Sequence, residues 1–240
     1  LKPLLDRPNP VAADRWLTID ALDPTEWETV FGGHWRQKGG RIIVDEPGRI
    51  FGGRALCLAK LEVPSPPYEI AVSVKLGDES GAAGLTFASD GNTHHYGFYP
   101  TAGQMRLTRF EGPSVFQWTI LDQKQTTHYF PGSWNRLHVR VELDRILCHV
   151  NGKLVFESRD KVLTGGRVGL SKFRDTRAEF KDFHLGTSLG ERTLDLPWDL
   201  KELLSATSLD VSGMSDKSLQ DLSPHADETH RFLQQRARIL

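Results

Sequence analysis

The 240-residue chain is short of sulfur, with only two cysteines and two methionines. Two cysteines allow at most one disulfide, so the fold cannot rest on a disulfide framework. A chain of this length needs none, because a single core of that size buries roughly 70% of the unfolded surface. Net charge is also missing. Lys and Arg total 30 against 31 for Asp and Glu, which gives no electrostatic reason to expect nucleic acid or an anionic membrane as partner. No apolar run approaches the ~20 residues needed to span a bilayer, so membrane insertion is not expected. The sequence starts at Leu1 without a basic-then-apolar leader. The expectation is therefore an excised part of a longer chain, whose other domains are partners. Gly-x-Ser-x-Gly occurs once, as Gly186-Thr187-Ser188-Leu189-Gly190 after an apolar strand-like run, and no Gly-x-x-x-x-Gly-Lys phosphate loop occurs, so nucleotide chemistry lacks its usual framework.

What the chain does have is turn chemistry between short apolar runs. The strongest stretch runs from Ser133 to Leu170, where Asn151-Gly152 separates Cys148-His149-Val150 from Leu154-Val155-Phe156. Both central positions of a type I′ turn need positive φ, so this dipeptide predicts a tight hairpin. Further turn clusters are Gly39-Gly40, Glu46-Pro47-Gly48, Pro64-Ser65-Pro66-Pro67, Ser89-Asp90-Gly91-Asn92, Glu111-Gly112-Pro113 and Pro131-Gly132-Ser133. Between them the pattern predicts strands at 41–44, 55–61, 68–76, 83–89, 95–99, 104–110, 115–121, 136–143, 146–150, 153–157, 167–172 and 178–185. About a dozen short strands with no helical period between them predict an all-β antiparallel sandwich. Leu137, Val139, Val141 and Leu143 should share one face, with Arg136, His138, Arg140 and Glu142 on the other.

Residues 1–30 hold four prolines and read as a lead-in, with a short turn at Asp23-Pro24 capped by the aspartate. Residues 31–186 form the sandwich. From 187 the pattern turns helical: Leu200, Leu203 and Leu204 are spaced for one helix face, and Ser223-Pro224 is a cap followed by a first-position proline. Residues 187–240 therefore read as a helical extension or the start of a following domain. Cys57 and Cys148 sit in strand-like runs, either as buried free thiols or as one bridge.

The order Trp35…Gly39-Gly40, Gly84-Leu-Thr-Phe, His95-Tyr-Gly-Phe-Tyr, Trp134-Asn-Arg-Leu-His-Val, Asn151-Gly-Lys, Gly166-Arg-Val-Gly-Leu and Phe180-Lys-Asp-Phe resembles the concanavalin A-like lectin/glucanase superfamily. Within it, the chain is similar to the bacterial 3-keto-disaccharide hydrolase-like and laminin-G-like group. The resemblance covers residues 31–186 and implies a jelly roll of two packed sheets. It implies carbohydrate as the ligand class, a place in a bacterial multidomain protein, and a periplasmic or secreted location. That fold hosts lectins, hydrolases and inert spacers alike.

Glucanases of this fold carry Glu-x-Asp-x-x-Glu, whose alternate carboxylates share a strand face. Here the only Glu-x-Asp is Glu142-Leu143-Asp144 at a hairpin, where solvated turn charges are expected. The reading is thus a non-catalytic carbohydrate-binding or adhesion module. The alternatives are a glycoside hydrolase acting on a keto-disaccharide or polysaccharide, and a scaffold domain packed on its own parent chain. Aromatic faces with planar polar groups suit sugars, and His95, Tyr99, Arg106, Arg109, Gln117 and Trp118 supply both on three successive strands. Alternation leaves His95, Tyr99, Arg106 and Gln117 on an open face and turns Tyr96, Phe98 and Trp118 toward the core. No cofactor is expected apart from a structural calcium, for which Asp78 and Asp90 stand in oxygen-rich loops. His94 and His95 are adjacent, which on a strand points them to opposite faces, and His34, His128, His138, His149 and His184 are scattered singly, so no transition-metal ligand set is expected.

Overall fold

The computed structural model describes residues 21–189. The first 20 residues of the expected lead-in, and the helices expected beyond 189, lie outside the described residues. Fourteen strands are described: β1 Trp27–Val30, β2 Gly32–Lys38, β3 Arg41–Gly48, β4 Ala55–Ala59, β5 Tyr68–Leu76, β6 Ala82–Ser89 and β7 His94–Thr101. They continue with β8 Gln104–Glu111, β9 Trp118–Lys124, β10 Asn135–Val141, β11 Ile146–Val150, β12 Lys153–Ser158, β13 Arg167–Phe173 and β14 Ala178–Gly186. Two seven-stranded sheets result, ordered β1-β4-β13-β6-β7-β8-β9 and β12-β11-β10-β5-β14-β3-β2. Their neighbouring strands pair antiparallel, which makes the fold a jelly-roll sandwich. Among the described residues no helix is long and apolar enough to cross a membrane.

The core lies between the sheets. Cys57, Leu85, Phe87, Tyr96, Phe98, Leu107 and Leu170 face Ile70, Val72, Leu137, Val139, Cys148, Phe156 and Phe180. Burying a side chain of this size stabilises the fold by about 1.5–3 kcal/mol. Both cysteines are free and buried there, and burial raises both thiols well above their ordinary range, which makes them inert filling.

Several boundaries differ from the sequence reading: β3 runs on to Gly48 through the expected Glu46-Pro47-Gly48 turn, and β4 ends at Ala59. β1 forms within the expected lead-in and β2 where no strand was expected, and Asp23 caps a single turn just ahead of them through Thr25 N–H. Both strands bury little, with only Trp35 of β2 buried, so neither has an apolar alternation to reveal it. β10 stops at Val141, which leaves Leu143 in the hairpin at 73% exposure instead of on the core face. Residues 115–117 form a 3-10 turn and the strand begins only at Trp118.

The second sheet turns a charged face outward. Arg140 bonds Glu69 at 2.5 Å and Glu142 at 2.8 Å, and Arg145 joins Glu142 to Glu157. The Glu142-Leu143-Asp144 triplet is thus a hairpin whose first acid is engaged by two arginines. His138 and His149 are not single: they pair across β10 and β11, with ring centroids 5.1 Å apart.

The hairpin at Asn151-Gly152 has the expected positive φ values, 49° and 79°. Asn151 does more than turn the chain. Its Oδ1 accepts the Arg136 N–H at 2.8 Å, and its Nδ2 donates to the His128 carbonyl at 2.7 Å. Asn151→Gly keeps the backbone freedom but removes these bonds, whereas Asn151→Ala loses both. Urea denaturation should show Asn151→Gly costing about 1–2 kcal/mol and Asn151→Ala about 1 kcal/mol more. A costless Asn151→Gly would mean that the side-chain bonds contribute nothing, and equal costs that positive φ at this position costs alanine nothing.

Candidate functional site

The first sheet is buried on both faces. β4 and β6 are buried at every position, and β7 at six consecutive ones. The inner face meets the core; the outer face is crossed by the β3–β4 connection, residues 49–54. This strap is tied at both ends. The Arg174 N–H donates to the Gly52 carbonyl at 2.8 Å, and the Phe51 N–H donates to the Pro113 carbonyl at 3.3 Å. Beneath it lies a second apolar cluster of Ala82, Tyr99, Phe110 and Phe173, with Trp118 against it.

Arg54, at the end of the strap, is 0% exposed. Its guanidinium lies 4.4 Å from the Phe110 ring centroid and 5.8 Å from that of Phe31. One Nη donates to the Gly112 carbonyl at 2.8 Å, and the other lies 3.3 Å from His95 Nε2. An arginine can only donate, so Nε2 accepts and the ring proton sits on Nδ1, directed at the Tyr96 carbonyl 3.0 Å away. Burial, then the Arg54 charge, lowers the His95 pKa from 6.5 to about 3. His95 is therefore a neutral acceptor. Burial also lowers Arg54 to about 10, which leaves it charged at neutral pH.

Aromatic rings continue across the sheet. His95, Phe110 and Trp118 are register partners on β7, β8 and β9. His95 stacks on Phe110 at 4.7 Å and Phe110 on Trp118 at 6.2 Å. Tyr99 lies flat over Gly97, where a Cβ would come within 2.9 Å of Tyr99 Cε1. Its buried hydroxyl is directed at Thr108, Arg106 and Trp118. Arg106 donates to Gln123 Oε1 at 2.7 Å and sits 5.5 Å from the Trp118 ring centroid. This part of the face, at edge strand β9, is open.

The expected site residues divide accordingly. His95 and Tyr99 share a face, as alternation requires, but at 0% and 2% exposure they are roofed by the strap rather than open. Arg106 is half-buried at the open edge. Trp118 packs on the outer cluster rather than the inter-sheet core, while Tyr96 and Phe98 do lie in that core. Gln117 falls in the 3-10 turn and is exposed, beside Phe116 at 95% exposure. Arg109 points the other way, held by Glu111 at 2.8 Å and by Asp160, which also accepts the Tyr96 hydroxyl. It anchors the loop before β13. Asp78 accepts the Ser80 N–H, and Asp90 accepts those of Asn92 and His94, so each carboxylate is engaged within its own loop. Among the described residues one metal-type trio converges, His34, Asp45 and Glu46, and Arg36 already pairs with Asp45 at 2.5 Å.

Arg54, Phe173 and the strap were missed from sequence. The legible signal was Ala55–Ala59, an apolar run without alternation, which marks a strand covered on both faces.

Six buried polar side-chain atoms among the described residues make no well-aligned hydrogen bond. Two are on the second sheet, His149 Nδ1 and His138 Nε2, the latter 3.3 Å from Glu69 Oε2. The other four, Arg54 Nε, Thr86 Oγ1, Trp118 Nε1 and Ser171 Oγ, belong to the strap and outer face of the first.

No protein-family model and no curated protein matches the chain. Among solved structures it is similar to the carbohydrate-binding module CBM66 from Bacillus subtilis. The TM-score is 0.58 at 20% identity, over 68% of this chain and 96% of that one. A functionally unknown protein from Saccharomyces cerevisiae gives 0.49 at 14% identity, over 69% and 98%. A Bacillus subtilis protein of unknown function with a galectin-like fold gives 0.47 at 11%, over 67% and 89%. The first of these likenesses shows the fold, a jelly roll of two antiparallel sheets.

The neutral His95 makes stability depend on pH. Its folded pKa lies below its unfolded value, so the unfolded state takes up a proton first on acidification. The stabilisation is complete above about pH 6.5 and is lost progressively as pH falls toward about 3. Between about pH 7 and pH 5, above most carboxylate titration, wild type should lose about 2 kcal/mol more than His95→Gln. Parallel denaturation curves for the two proteins across that range would contradict the assignment.

Proposed function

We propose that this chain is a non-catalytic carbohydrate-binding module of a larger multidomain protein, binding at the outer face of its first sheet where that face opens along β8 and β9. The observation that carries this reading is the open edge of that face, where the Arg106 guanidinium, bonded to Gln123, lies 5.5 Å from the Trp118 ring centroid and the rings of Phe110 and His95 continue behind it. Sugars answer both features, since hydroxyls donate and accept while the ring C–H face lies on an aromatic. Arg106 and Trp118 at the open edge are the residues assigned to direct contact.

The fold shared with a carbohydrate-binding module supports this reading. Binding is favoured over hydrolysis because the outward positions of β4, β13, β6, β7, β8 and β9 hold no carboxylate. The acid on this face, Glu28 of edge strand β1, is paired with Arg167 at 2.8 Å. A two-carboxylate glycosidase needs its acids about 5–9.5 Å apart, so a keto-disaccharide hydrolase would need another face. No metal is invoked; a calcium ion at Asp78 or Asp90 would have to replace the turn bonds they accept.

A glycan array of the whole chain should show binding that Arg106→Ala and Trp118→Ala each weaken at least ten-fold, with thermal melts confirming folded variants. Tyr99→Ala is a poor control, because that ring is part of a packed cluster. A blank array from folded protein would sink the proposal.

A further inference from the structure

We infer that the saccharide taken by this face is acidic, bearing a carboxylate that Arg106 receives. This rests on the carbohydrate reading above and adds a ligand class to it.

The argument starts from charge. Arg54 and Arg106 both belong to the outer side of the first sheet, and neither forms an ion pair among the described residues. The contacts of Arg54 are a carbonyl, a neutral imidazole and an aromatic face. Those of Arg106 are the Gln123 amide oxygen, the Tyr99 hydroxyl and the Trp118 ring. Buried charges are normally paired, because an uncompensated one loses hydration without recovering it. Across the sandwich the second sheet obeys that rule, with Glu69 and Glu142 on Arg140, and Glu142 and Glu157 on Arg145. On the first sheet Lys172 is likewise held by carbonyls, those of Glu46 and Arg174, and what sets the outer face apart is the aromatic rings against its two arginines.

Geometry divides the work between the two arginines. Arg54 is sealed beneath the strap and supplies field. Arg106 is half-buried at the open edge, with its Nε occupied by Gln123 and its planar fork available to a carboxylate, which it matches in a bidentate arrangement. The Tyr99 hydroxyl lies within the influence of both guanidiniums. A sugar seated against Trp118 thus places one oxyanion substituent at Arg106 and its hydroxyls along Gln104 and Gln123, which bond each other at 2.8 Å.

The test is calorimetric titration of the whole chain at low salt with three probes: tri-galacturonate, its methyl ester and a neutral galactotriose. Wild type should bind the acid at least ten-fold tighter than the ester. Arg106→Gln should remove that difference, and added salt should narrow it. Equal binding of acid and ester overturns the acid selectivity and leaves the carbohydrate proposal standing. A sulfated galactan bound in preference to the uronate overturns the carboxylate assignment. Failure of every probe, together with a blank glycan array, overturns both.

Discussion

The outer half of this sandwich depends on one buried cation. Arg54 joins the strap to the β8–β9 turn through the Gly112 carbonyl and lies over Phe110. In the same position it compels His95 to be a neutral acceptor. If Arg54 moved, the strap would lose its tie near Gly112, and the stacked row of His95, Phe110 and Trp118 would lose its cover. No carboxylate among the described residues pairs with it directly, and Asp90 acts on it only through space. A carbonyl dipole, an imidazole lone pair and the negative face of an aromatic ring together stand in for a counter-ion.

That choice separates the two outer faces of the molecule. The second sheet carries Glu69, Arg140, Glu142, Arg145 and Glu157 in a ladder of short ion pairs. Exposed pairs of this kind contribute little stability, and their main effect is to leave no local excess of either sign. The first sheet instead has aromatic rings, two unpaired guanidiniums and hydroxyls without partners. The near-zero net charge of the chain hides this difference, because it sums two faces of opposite design.

The architecture was largely legible in the sequence because turn residues punctuate it. Asn151-Gly152 demanded positive φ, and 68–76 and 146–150 alternated or ran apolar up to their observed ends. β1 and β2 were illegible, being edge strands that bury almost nothing. The candidate site was legible in its residue types and face parity, not in its exposure. Alternation correctly put His95 with Tyr99, but it reports only which side a residue takes, not what lies above that side. The strap covering them comes from a stretch 40 residues earlier in the chain, with no periodic pattern of its own. Arg109 shows the same limit: an arginine on the expected strand whose partner, Asp160, is fixed by tertiary contact alone.

The roof also bears on how a ligand could be held. A face sealed over Tyr99 and Arg54 cannot admit a sugar at its centre without moving the strap. The accessible edge is formed by Arg106, Trp118 and Gln123, with exposed Phe116 and Gln117 beside it. Aromatic stacking beneath Trp118 fixes its ring through Phe110, and Arg54 fixes Phe110 from the other side. The buried cluster therefore acts as a foundation: it orders a platform before any ligand arrives, so little side-chain entropy is lost on binding. Rigid support from behind and hydrogen-bonding side chains at the open edge, Arg106 and Gln123, are together what a binding face needs. Neither the charged ladder of the second sheet nor its stacked histidines, set in the field of Glu69 and Arg140, offers that combination.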